Sequence, residues 1–90
     1  FETFIVTIKP GTTEKKLFNH EGYEFMFISE GSITLYLNNE KLILNEGDSI
    51  AFNSKIPHYA ESISGDSSKI LSVRMKGQDI KEAIRKAAKV

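Results

Sequence analysis

The sequence predicts an all-β fold, a sandwich or antiparallel barrel of about seven or eight short strands followed by one α-helix. Three features of the 90 residues carry that expectation. Short runs of β-branched and aromatic residues recur roughly every ten positions, each closed by Gly, Pro, Asn or Asp. Apolar and polar residues alternate inside several runs, the period of a strand with two unlike faces. Beyond Met75 the period becomes that of a helix, so the expected units are a barrel over residues 1–76 and an amphipathic helix over 77–90.

The first strand is read from the alternation of Phe4, Val6 and Ile8. Pro10-Gly11-Thr12 ends it, because proline lacks the amide a ladder needs and glycine accepts positive φ. A second strand covers about Gly22 to Ser29. Tyr23, Phe25 and Phe27 line one side of it, while Met26 and Ile28 follow Glu24 on the other, so both sides need cover. The barrel interior covers one, and the terminal helix or a second subunit covers the other; a homodimer is the expectation. Ser32 to Leu37 and Lys41 to Leu44 flank Asn38-Asn39-Glu40, where asparagine tolerates the left-handed backbone of a tight hairpin. Asn45-Glu46-Gly47-Asp48 turns the chain into Ser49 to Phe52. His58 to Ser62 follows Pro57, and Ser64-Gly65-Asp66 leads into Lys69 to Met75. In the tail Ile80, Ala83, Ile84, Ala87 and Ala88 share one helix face, Asp79 and Glu82 form a capping box, and Lys81, Arg85, Lys86 and Lys89 read as a solvated face.

Composition narrows the function. Twelve acidic and twelve basic residues leave no formal net charge, whereas a nucleic-acid surface carries a basic excess, so no direct nucleic-acid contact is expected. The absence of cysteine excludes disulfides, a thiolate zinc site and a thiol nucleophile, and fits a reducing, cytoplasmic setting. No apolar run nears the ~18 residues of a membrane span, and no membrane association is expected. Phe1 stands where an initiator methionine would, which suggests processing or excision from a longer polypeptide and leaves room for a further domain upstream.

The chemistry concentrates in His20, Glu24 and His58. An even separation sends His20 and Glu24 to the same side of a strand. Two imidazoles and one carboxylate make an open ligand set for a divalent ion such as iron, manganese, nickel or zinc. The same residues also read as a metal-free polar pair, in which His20 satisfies a buried Glu24. Tyr23 and Tyr59 fall on the opposite parity from Glu24 and His58, which makes them surface or interface residues rather than pocket acids.

The spacing resembles the cupin superfamily, whose motifs are G-x5-H-x-H-x3,4-E-x6-G and G-x5-P-x-G-x2-H-x3-N. His20 matches the second histidine of the first motif, Glu24 its glutamate and Gly31 its closing glycine, while Phe18 stands in place of the first histidine and Gly11 lies one residue from the opening glycine. Gly47 and His58 match the second motif. Asn53 and Lys55 replace its proline and inner glycine, and Ser62 its final asparagine. The run Glu46-Gly47-Asp48 to Pro57-His58 looks most like the cupin domain that follows a helix-turn-helix domain in many bacterial and archaeal transcriptional regulators. That resemblance implies a double-stranded β-helix, a small-molecule sensor and a dimer that reaches DNA only through a helix-turn-helix domain missing here. It leaves His20, Glu24 and His58 as three of four family metal ligands. Phe18, Met26, Ile28, Phe52 and Ser62 are candidate walls of a small ligand pocket, because a barrel this size is nearly filled by its own side chains. No catalytic residue is assigned. Two alternatives accompany the sensor: a mononuclear non-haem metal enzyme, which the family also contains as a phosphonate epoxidase, and a structural dimerisation module with a relic site.

Overall fold

The computed structural model describes residues 2–11, 22–63 and 65–76. They form seven strands: β1 (Glu2–Ile8), β2 (Tyr23–Glu30), β3 (Ser32–Leu37), β4 (Glu40–Asn45), β5 (Ser49–Asn53), β6 (His58–Ser62) and β7 (Ser68–Met75). The expected helix over 77–90 lies outside the described residues, as do Phe18 and His20. No helix among the described residues is long and apolar enough to cross a membrane.

Two antiparallel sheets face each other, one ordered β1-β7-β2-β5 and the other β4-β3-β6. Turn chemistry explains where the chain reverses. Asn38 sits at φ 55° in the β3–β4 hairpin, the left-handed region asparagine tolerates. Between β4 and β5, the amide of Asp48 donates to the carbonyl of Asn45 at 2.9 Å, and the Asp48 carboxylate accepts from the Asn45 amide at 2.7 Å. Gly47 supplies the φ of 90° that this turn needs.

Strand parity then sorts the side chains. Met26, Ile28, Phe52 and Ile70 from the larger sheet meet Ile33, Leu35 and Ala60 from the smaller one, and Ile8 closes the base of this core. At that end the Ser62 and Ser68 hydroxyls share a hydrogen bond at 2.7 Å and Ser68 donates to the Ser32 carbonyl at 2.9 Å, pinning one sheet to the other. The outer face of the larger sheet is also apolar. Phe25 pairs across the ladder with Val73 and Ala51, Phe27 with Leu71, and Leu71 with Ile5, which is 76% exposed.

Gly22, at the start of β2, packs against the last residues of β7. A Cβ there would strike the carbonyl oxygen of Met75, and its φ of 109° is closed to L side chains. Gly22→Ala is therefore expected to cost about 1–3 kcal/mol. Thermal unfolding followed by circular dichroism measures it, and an unchanged midpoint would contradict this packing.

Candidate functional site

One end of the space between the sheets is polar. Glu24 on β2, Ser72 and Arg74 on β7 and His58 on β6 converge there, above a cavity of about 60 Å³ floored by Val6, Ile8, Met26, Ala60 and Ile70. Register brings them together: Glu24 lies opposite both Phe52 and Arg74, while Ser72 lies opposite Met26 and Phe4. His58 arrives from the facing sheet, on the side of β6 that Ala60 also occupies.

Glu24 and His58 are 2% and 3% exposed, so each needs a partner. Glu24 Oε1 lies 3.7 Å from His58 Nε2 and 3.4 Å from Arg74 Nε. His58 Nδ1 donates to the Ile56 carbonyl at 2.7 Å, which fixes the tautomer and aims Nε2 at the carboxylate. Phe52 meets the imidazole edge-on at 4.8 Å between ring centres. Burial pushes the His58 pKa down, but the interaction with Glu24 and the Ile56 hydrogen bond outweigh it, and the net result is a raised pKa. Arg74 is one-third exposed at the mouth of the cavity, with its guanidinium 4.9 Å from the centre of the Phe4 ring. Ser72 is 3% exposed, and its hydroxyl has no hydrogen-bond partner among the described residues.

Of the residues named from sequence, Glu24 and His58 come together and Met26 lines the cavity beneath them. Ile28, Phe52 and Ser62 do not line it. Ile28 is fully buried in the core, Phe52 backs the His58 ring, and Ser62 lies at the opposite end in the sheet-pinning bonds. Tyr59 stacks on Tyr36 at 4.3 Å but also contributes to the cavity lining, against the expectation from strand parity, while Tyr23 is 44% exposed. The sequence reading missed Ser72 and Arg74. The signal was present in the even spacing of Ser68, Ile70, Ser72 and Arg74, but the other face of β7, with Leu71, Val73 and Met75, is the more apolar and reads as the buried one.

Among the described residues no group of three metal-ligating side chains forms. Two donors do not hold a first-row ion well against water, and the Arg74 cation already faces the Glu24 oxygen that such an ion would use. The described residues by themselves therefore do not fit a metal ion.

A two-sheet antiparallel barrel with a polar mouth over an apolar floor defines a cupin-type domain. The cupin domain family matches residues 4–74, and the chain belongs to it. It is 36% identical over 72 residues to the HTH-type transcriptional regulator PuuR of Escherichia coli (strain K12), a match covering 80% of this chain and 37% of the regulator. The PuuR of Shigella flexneri gives the same figures. The chain thus spans little more than a third of the length of the curated relatives it matches. FeII HppE in complex with substrate superposes with a TM-score of 0.71 at 24% identity, covering 81% of this chain and 44% of that one. The conserved SPY1581 protein of Streptococcus pyogenes gives 0.74 at 19%, covering 82% and 62%. At these identities the likeness is one of fold.

Proposed function

We propose that this chain is the effector-binding and dimerisation domain of a transcriptional regulator, working in the cytoplasm and reaching DNA through a helix-turn-helix domain elsewhere in the protein. The observation that carries this is a cavity with a buried polar end inside a fold whose sequence relative is an HTH-type regulator. Concave sites with apolar walls and a few polar groups take small molecules, and a ligand bound only by the folded state stabilises it in proportion to the logarithm of its concentration over Kd. The apolar outer face built on Phe25, Phe27, Leu71 and Val73 supports the homodimer, since a soluble monomer rarely leaves such a patch open. A thermal-shift screen of small metabolites against the chain, with light scattering for its mass, tests the reading. At least one stabilising compound and a dimer at micromolar concentration are expected; a monomer that no compound stabilises would overturn it.

The convergence of Glu24 and His58 favours a second reading, a mononuclear metal site completed by His20. Metal analysis of protein purified without an affinity tag decides it. On this reading iron, manganese, nickel or zinc is bound stoichiometrically and His58→Ala abolishes binding.

A further inference from the structure

We propose that the cavity takes a small aliphatic carboxylate, with the acid group held by Arg74 and Ser72 at the mouth and the alkyl chain laid against Val6, Ile8, Met26 and Ile70. This deepens the sensor reading and rests on it.

Three observations point to that chemistry. The first is charge. Glu24, the only acidic residue lining the cavity among the described residues, already faces His58 and Arg74, so its negative charge is met from within. An incoming cation would have to compete with both and pass the guanidinium at the mouth. An anion meets a guanidinium whose planar fork of N–H groups can serve a second carboxylate beside the first. Phe4 supports that guanidinium from one side, which limits the orientations it samples.

The second is Ser72. A buried hydroxyl without a partner carries a desolvation cost that a ligand oxygen would remove. It sits one inward position along β7 from Arg74, so the two can bind the two oxygens of one carboxylate.

The third is size and lining. A cavity of about 60 Å³ admits roughly four to six water-sized groups, which matches a two- to four-carbon acid. Below Ser72 the described lining is mainly aliphatic, from Val6, Ile8, Met26, Ala60 and Ile70, with Tyr59 beside them, which suits an alkyl chain better than a second charged group. In this arrangement Arg74 supplies the positive charge at the ligand's carboxylate.

Isothermal titration calorimetry of the ninety-residue chain with sodium acetate, propionate, butyrate and hexanoate, and with propylamine and butylamine, tests the proposal. The short acids should bind without added metal, with an optimum at three or four carbons. Hexanoate and both amines should bind at least about tenfold more weakly. Ser72→Ala, whose fold should be intact because it removes an unpartnered hydroxyl, should weaken propionate binding several-fold. Arg74→Lys keeps the charge but loses the fork, and should weaken it about tenfold or more, with circular dichroism confirming the fold. An amine that binds more tightly than the acid of equal length overturns the ligand class and leaves the sensor reading standing. So does acid binding that appears only with added iron or manganese, or that neither substitution alters. If no probe of either class binds and the thermal-shift screen is also empty, both readings fall.

Discussion

Glu24→Gln is expected to lower folding stability by about 2–3 kcal/mol and to reverse the pH dependence of stability around the histidine range. The carboxylate is almost fully buried and faces two groups of opposite or potentially opposite charge, so removing its charge weakens the contacts it makes with Arg74 at 3.4 Å and with His58 at 3.7 Å. The cost falls below the ~3–5 kcal/mol of a fully buried broken pair because Arg74 is one-third exposed and water screens it. In the wild type the folded His58 keeps its proton above the ordinary 6.5. Its contribution to stability is complete below that value and is lost as pH rises through the higher folded pKa. With glutamine in place, burial becomes the dominant influence and lowers the pKa, so the window moves below 6.5 and stability there rises with pH. Urea unfolding of both proteins between about pH 5 and 8, compared as a difference, measures the change. Parallel profiles would mean that Glu24 does not govern His58.

Leu35→Ala is expected to cost about 2–5 kcal/mol, a large share of the roughly 5–10 kcal/mol that holds a domain of this size folded. Leu35 is fully buried at the middle of β3, the central strand of the smaller sheet, opposite Leu42 on one side and Ala60 on the other. Both neighbours are tied into the same ladder, and Ala60 has no length with which to fill the space, so the cavity left by truncation stays open. Leu35→Met, which nearly conserves volume, should cost less than about 1.5 kcal/mol. Chemical denaturation of the two variants gives the comparison. Equal losses would place Leu35 outside the close-packed core.

The sequence by itself determined the strands. Alternation in Phe4-Val6-Ile8 and the turn residues at Asn38, Gly47 and Pro57 are local signals, set by side-chain period and by backbone angles that neighbouring residues dictate. All seven elements accordingly lie within one or two residues of where those signals place them. It also pointed to Glu24 and His58 lying near each other, which they do at 3.7 Å, because parity along each strand and the two motif spacings are properties of the chain. What only the tertiary structure decided is which face of β7 points inward. Leu71, Val73 and Met75 make the more apolar face, and hydrophobicity alone would bury them. They lie instead on the outer face beside Phe25 and Phe27, while Ser72 and Arg74 turn in toward Glu24. The choice is made by register with β2: once Glu24 is opposite Arg74 and Met26 opposite Ser72, every inward position of β7 follows, since a one-residue slip would exchange both faces. Long-range pairing, and the burial of one carboxylate against Arg74 and His58, therefore put Arg74 at the mouth of the cavity.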